Sequence, residues 1–138
     1  MKKLLTEGFR EVGHGADAAL EVWARDLPAL FRQAAQGMYS LMGATPSQVS
    51  STLRSFKLSA ADDESLLVMF LSRLLFLLDQ ERLMFTKMEF HYLPGRLIGI
   101  LEGTPLGSIQ REIKAVTFND LEIRQEERLY RVLIVFDL

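Results

Sequence analysis

Cysteine is absent from all 138 residues of the chain. Disulfide bonds, thiolate metal sites and cysteine nucleophiles are therefore excluded, and an intracellular, cytoplasmic location fits this composition. The sequence also lacks a glycine-rich phosphate loop or any other nucleotide-binding motif. Because no nucleophile can be matched with a base and an orienting group, we do not expect the chain to catalyse a reaction on its own.

Long apolar runs are missing too. The most apolar stretch, from Leu66 to Leu78, is interrupted by Ser72 and Arg73. It is too short to cross the roughly 30 Å hydrocarbon core of a membrane, so it predicts a buried helix. Residues 1–10 contain no apolar segment with a cleavage site, and we therefore expect neither secretion nor a membrane partner.

An excess of positive charge is the third feature that the sequence does not have. Sixteen basic and eighteen acidic residues give a formal net charge of -2. Tight binding of RNA through its phosphates requires a concentrated basic surface, which this balance does not favour.

The composition predicts a single domain over residues 1–138, because an apolar content of 49% is enough for one sizeable core. Two helices are predicted. The first is capped by Asp26 and has Pro28 in its first turn, whereas the second begins at Asp62 and Asp63. Both have apolar residues at helical spacing. These are Leu30, Phe31, Ala34, Ala35, Met38, Leu41 and Met42 in the first helix, and Leu66, Leu67, Phe70, Leu71, Leu74, Leu75 and Leu78 in the second.

The apolar surface of the second helix extends beyond one face through Met69, Phe76 and Leu77. Deeper burial and contact with a partner protein both explain such a surface. We expect burial, because a chain of this size must bury most of its apolar side chains to be stable.

Most of the remaining sequence predicts strands, which alternate between apolar and polar positions. Turns are predicted at residues 43–47, 94–95 and 103–105, and a charged hairpin tip at 125–128. Strands beside two helices predict an α+β two-layer sandwich with a mostly antiparallel or mixed sheet. The predicted strands cover residues 18–23, 49–58 (an edge strand), 83–92, 97–101, about 112–118, 121–126 and 129–136.

Two carboxylates lie one residue apart at the end of the sequence, in the Asp137 side chain and the terminal group of Leu138. Such a pair is tolerated if both groups are solvated, if one is protonated, or if a cation lies between them. Asp17, at the start of an apolar strand, offers a third oxygen donor. A solvated, frayed tail explains the same residues without a metal, so both interpretations stay open.

Four separated motifs resemble the archease family in order and spacing, over nearly the whole chain. They are His14-Gly15-Ala16-Asp17, the helix opening Asp62-Asp63-Glu64-Ser65-Leu66-Leu67, Glu112-Ile113-Lys114-Ala115-Val116-Thr117-Phe118, and Val135-Phe136-Asp137-Leu138. The resemblance implies an α+β two-layer sandwich. It also implies a non-catalytic protein cofactor that helps an RtcB-type RNA-splicing ligase become guanylylated and turn over repeatedly.

The same resemblance implies a metal site formed by Asp17, Asp137 and the carboxylate of Leu138. Oxygen donors with a charge near minus three suit calcium or magnesium better than zinc or copper. We choose Ca²⁺ because its flexible coordination tolerates a chain terminus better than the strict octahedron of Mg²⁺; Mg²⁺ and Mn²⁺ are the alternatives. RNA would be contacted only indirectly, through the ligase.

Two departures from the family pattern surround this predicted site. Gly15 replaces the usual threonine of the first motif, and Asn119 replaces the histidine of a Thr-Tyr-His motif. We expect a structural hydrogen bond from His14, whereas Lys114 points either toward the acidic site or to solvent. Neither Thr117 nor Asn119 is expected to be catalytic.

Two other functions remain open. A small metal-dependent hydrolase would use the same carboxylates to activate water. A chaperone-like protein-interaction module would instead use the surplus apolar surface of the second helix, including Phe76 and Leu77.

Overall fold

A computed structural model describes residues 6–14, 17–47 and 51–138. The two helices are α1 (Leu27–Met42) and α2 (Asp63–Glu81). The strands are β1 (Gly8–His14), β2 (Asp17–Ala24), β3 (Thr45–Pro46), β4 (Thr52–Ser59), β5 (Leu83–Leu93), β6 (Arg96–Ser108), β7 (Ala115–Val116), β8 (Arg124–Glu126) and β9 (Leu129–Asp137). The α+β sandwich predicted from the sequence is confirmed.

Within the described residues the strands form two antiparallel sheets. The first sheet has the order β1-β2-β9-β7, and β8 pairs with β9 as well. In the second sheet the long strand β6 is central, with β4 on one side and β5 on the other, and the short β3 pairs with its distal end. The first sheet therefore joins the two ends of the sequence.

Helix α1 forms as the sequence predicts. The Asp26 carboxylate accepts a hydrogen bond from the amide of Ala29 at 2.8 Å, and the helix ends at Gly43, whose φ of 62° is left-handed. The apolar residues predicted for its inner face are all buried. Gly37 lies where α1 approaches β2, because a Cβ atom there would collide with Leu20.

Helix α2 has the predicted start but a narrower buried face. Asp62 accepts a hydrogen bond from the amide of Ser65 at 2.7 Å, which lowers the pKa of the Asp62 carboxyl. Met69 is 40% exposed and Phe76 is 58% exposed, so the expected burial of these two side chains was wrong. Both side chains lie outside the buried face of α2. The core covers only one side of this helix, whereas its apolar residues extend around more of its circumference. Neither of the described helices is long and apolar enough to cross a membrane.

Both helices pack against the inner faces of the sheets. The core is one cluster that takes buried residues from α1, α2 and both sheets. Phe70 of α2 stacks on Phe31 of α1 and on Phe56 of β4, with ring centroids 5.8 Å apart in each case. These aromatic contacts attach the second sheet to both helices.

Some element boundaries differ from the sequence predictions. Residues 103–105 do not form a turn but continue β6, where Pro105 pairs with Leu83 of β5. The predicted strands at 112–118 and 121–126 shorten to Ala115–Val116 and Arg124–Glu126. The hairpin tip is confirmed, with positive φ at both Glu127 and Arg128. Residues 49 and 50 of the predicted edge strand lie outside the described part of the chain.

Candidate metal site

Asp17 and Asp137 lie at the end of the β2–β9 pair. The pairing runs as far as Ala18 and Phe136, and Asp17 and Asp137 each lie one residue beyond this last pair. Since Ala18 and Phe136 point into the core, alternation places both carboxylates on the outer face, where both residues are exposed.

The backbone around Asp137 is held from its other side by β7. Ala115 pairs with Asp137, and the amide of Lys114 donates a hydrogen bond to the Asp137 carbonyl at 2.7 Å. The amide of Thr117 donates to the carbonyl of Val135 at 3.0 Å. The backbone of Asp137 is therefore held by pairing with β7, unlike that of a frayed tail.

Neither carboxylate is neutralised by a described residue. No hydrogen bond or ion pair of the described chain engages the Asp17 or Asp137 carboxylate. Carboxylate oxygens are the ligands that hard divalent ions prefer, so the two side chains fit such an ion in donor type.

The side chains alone do not complete a coordination shell. Among the described residues there is no group of three or more histidine, cysteine, aspartate or glutamate side chains placed to hold a metal ion. A third protein ligand would have to come from the main-chain carboxylate of Leu138, a half-buried residue that packs against the core. Water and backbone carbonyls would supply the rest.

The other residues singled out in the sequence have mixed outcomes. Lys114 is exposed, and the hydroxyl of Thr117 accepts a hydrogen bond from the amide of Asn119 at 3.2 Å. The backbone of His14 pairs with Asp17, but its side chain is not among the described ones, and Gly15 and Ala16 lie outside the described residues.

A groove next to the acidic pair was not predicted. It lies between α2 and the segment 109–115 and has a volume of about 480 Å³. Phe76, Asp79 and Arg82 line it from the helix side, and Lys114 and Ala115 line it from the opposite wall. Ala115 also pairs with Asp137, so the short strand β7 contacts both the groove and the end of β9. The apolar position of Phe76 beyond the main helix face was the only signal in the sequence.

Comparison with known proteins assigns the family. The profile of the archease protein family (MTH1598/TM1083) matches residues 9–138. The protein archease of Methanothermobacter thermautotrophicus is 31% identical, with 96% of this chain and 99% of the relative covered. That of Thermoplasma acidophilum is 29% identical, with 96% and 95% covered.

Solved structures agree with this assignment. The solution structure of Methanobacterium thermoautotrophicum protein 1598 is 30% identical, has a TM-score of 0.74, and covers 95% of this chain and 99% of its own. The crystal structure of a Thermotoga maritima archease, described as a possible chaperone, has a TM-score of 0.71 at 15% identity, with 94% and 96% covered, and supports the fold alone. On the strength of the full-length family match, the chain belongs to the archease family.

Proposed function

We propose that this protein is a metal-binding accessory factor that activates an RtcB-type RNA-splicing ligase. In this role it promotes guanylylation and multiple turnover of the ligase during tRNA splicing or RNA repair. The observation that carries the proposal is that Asp17 and Asp137, both exposed, each lie one residue beyond the last pair of β2 and β9. Membership of the archease family supports the choice of partner.

Asp17, Asp137 and the Leu138 carboxylate would hold the ion, with Ca²⁺ preferred over Mg²⁺ or Mn²⁺. A bound divalent ion supplies concentrated positive charge at this end of the molecule. The chain's own contribution is positional. Hydrogen bonds from β7 fix the backbone of Asp137, and a rigid sheet keeps the carboxylates in one geometry.

The groove beside α2 offers a docking surface for the ligase. Phe76 is 58% exposed and lies next to charged residues of both signs, namely Asp79, Arg82 and Lys114. An apolar centre with a charged rim is the usual composition of a protein-binding surface. Ala115 of β7 lines the groove and also pairs with Asp137 of β9. Docking at the groove would therefore bring the acidic pair to the partner.

Multiple-turnover RNA joining tests the proposal. The cognate ligase, GTP, divalent metal and cleaved RNA are incubated with and without this protein. We expect wild-type protein to raise the number of turnovers, and Asp17→Asn or Asp137→Asn to lose that stimulation. Glu127→Gln, which removes an exposed carboxylate at the hairpin tip, is the matched control and should stimulate normally. Full stimulation by both aspartate variants would refute the metal-dependent mechanism.

A chaperone-like interaction module is the second candidate, and the exposed Phe76 and Met69 of α2 favour it. In that case the protein would bind its partner through the groove, and the aspartates would not matter. Metal-dependent turnover of a substrate by this chain alone would instead support the hydrolase alternative.

A further inference from the structure

The outer face of the second sheet carries most of the exposed large apolar side chains. Seven large apolar side chains are exposed among the described residues, and four of them lie on this face. They are Leu53 (66%), Leu93 (45%), Ile98 (36%) and Ile100 (50%). The central strand β6 contributes both isoleucines, and a shallow depression of about 650 Å³ lies around them.

The charged residues that β6 contributes to this face follow a symmetric pattern around Gly99. On β6, Ile98 and Ile100 flank Gly99 at one residue on each side, and Arg96 and Glu102 lie three residues away on each side. Two copies can be stacked face to face by a half-turn about an axis that lies between the sheets at Gly99, in their plane and perpendicular to the strands. This half-turn places Arg96 of one copy over Glu102 of the other, so opposite charges face each other.

The two flanking strands follow the same operation. On β5, Phe90 pairs with Gly99 and is flanked by Glu89 and His91. On β4, Phe56 pairs with Gly99 and is flanked by the uncharged Ser55 and the basic Lys57. After the half-turn, Glu89 of one copy faces His91 of the other, Lys57 faces a neutral serine, and Lys87 faces the apolar Leu93.

We infer that this face is the interface of a two-fold symmetric dimer of the protein. In the dimer, β6 of one copy crosses antiparallel over β6 of the other, Ile98 packs on Ile100, and Arg96 pairs with Glu102 in both directions. Face-to-face sheets pack at about 30°, which this arrangement accommodates. Each contact occurs twice, as a two-fold interface requires.

The size of the face sets the strength of the dimer. Three strands about 4.8 Å apart with four outward positions each cover roughly 500 Å² per copy once side chains are included. The total of about 1,000 Å² is at the lower limit for a specific interface, so the dimer should be reversible with a dissociation constant of about 10–1,000 µM. The inference does not depend on the proposed function, because the acidic pair lies on the other sheet.

Sedimentation equilibrium of the whole protein, over concentrations on both sides of that range, tests the inference by charge reversal. Arg96→Glu sets glutamate against Glu102 twice in the dimer, and Glu102→Arg sets arginine against Arg96 twice. Each single variant should weaken the dimer by about 10-fold or more. The double variant Arg96→Glu with Glu102→Arg restores opposite charges and should return to within about threefold of wild type.

Arg73→Glu, on α2, makes the same change in net charge as Arg96→Glu but away from the sheet, and it should dimerise like wild type. Thermal melts followed by circular dichroism check that each variant is folded. A wild-type protein that stays monomeric up to about 1 mM would overturn the inference. So would a dimer whose dissociation constant is unchanged in the single charge-reversal variants, or is not restored in the double variant.

Discussion

Asp17 and Asp137 lie at the ends of two neighbouring strands, each one residue beyond the paired Ala18 and Phe136. The fold brings together two carboxylates from opposite ends of the sequence and gives neither a partner within the described chain. If the two carboxylates hold a metal ion, as we propose, replacing either of them should weaken the binding of that ion.

Replacing either aspartate should weaken metal binding without lowering the free energy of unfolding. Asp17→Asn and Asp137→Asn remove one charge but keep the shape of the side chain. We expect the Ca²⁺ affinity measured by calorimetry to fall at least about 10-fold, because one of few oxygen ligands loses its charge. The free energy of unfolding without metal should change by less than about 0.5 kcal/mol or rise, since repulsion is relieved. Equal affinities in Asp137→Asn and in the Glu127→Gln control would exclude the site.

The carboxylate of Leu138 needs its own test, because it is a main-chain group. Adding one glycine after Leu138 moves the carboxylate away and replaces it with a neutral carbonyl. We expect this variant to bind Ca²⁺ at least about 10-fold more weakly. Leu138→Ala is the control, since it keeps the carboxylate while removing the side chain. If the glycine extension binds as tightly as wild type, the terminal group is not a ligand.

Tyr39 anchors α1 to β5 through a buried hydrogen bond. The backbone N–H of Phe85 donates to the Tyr39 hydroxyl at 3.2 Å, next to the irregular step of β5 between Phe85 and Lys87. Tyr39→Phe leaves this N–H without an acceptor and should lower the free energy of unfolding by about 1–3 kcal/mol in urea titrations.

Tyr92→Phe is the matched control for the Tyr39 variant. The Tyr92 hydroxyl donates to the Asp63 carboxylate at 2.7 Å in a more accessible position, where water can replace it. We expect a smaller loss of stability than in Tyr39→Phe. A larger loss in the control would contradict the role given to the buried Phe85 amide.

The raised pKa of Tyr39 also leads us to expect a loss of stability in strong base. Burial raises the pKa of Tyr39 to about 12, against an ordinary value of 10.0, although the hydrogen bond from Phe85 lowers it in part. Because the folded pKa lies above the unfolded one, this contribution to stability is complete below about pH 10 and is lost between about pH 10 and 12. Urea titrations across this interval should show a shallower decline for Tyr39→Phe than for wild type. Parallel declines would show that Tyr39 does not titrate differently on unfolding.

Local signals in the sequence were sufficient for the helices and the hairpin tip. The Asp26 cap, Pro28 and the apolar spacing of α1 depend on neighbouring residues, and the structure reproduces them. The segment around Pro105 was different. Gly103 and Pro105 are typical of a turn, but strand β6 continues through them because Pro105 is paired with β5. Only long-range pairing decides between these outcomes.

The candidate site was predictable in composition but not in geometry. The sequence and the family resemblance identified Asp17, Asp137 and Leu138 as possible ligands. Their proximity depends on the register between β2 and β9, which a single sequence does not determine. The groove beside Phe76 was missed for a similar reason, since its second wall comes from residues 109–115, far along the chain.

Phe76 distinguishes activation through the acidic pair from a general chaperone role. Phe76→Glu places a charge at the groove and should weaken binding to the ligase at least about 10-fold, while leaving the unfolding free energy within about 0.5 kcal/mol because the ring is 58% exposed. Leu53→Glu, at a 66% exposed position on β4 outside the groove, is the control and should bind normally.

The comparison with Asp17→Asn completes this test. If the groove docks the ligase and the acidic pair activates it, Asp17→Asn should bind the ligase with nearly wild-type affinity but fail to raise its turnover. Affinity is measured by surface plasmon resonance and turnover by RNA joining. An Asp17→Asn variant that both binds and stimulates normally, beside a Phe76→Glu variant that does neither, would favour the chaperone-like module, because only the apolar groove would then be needed.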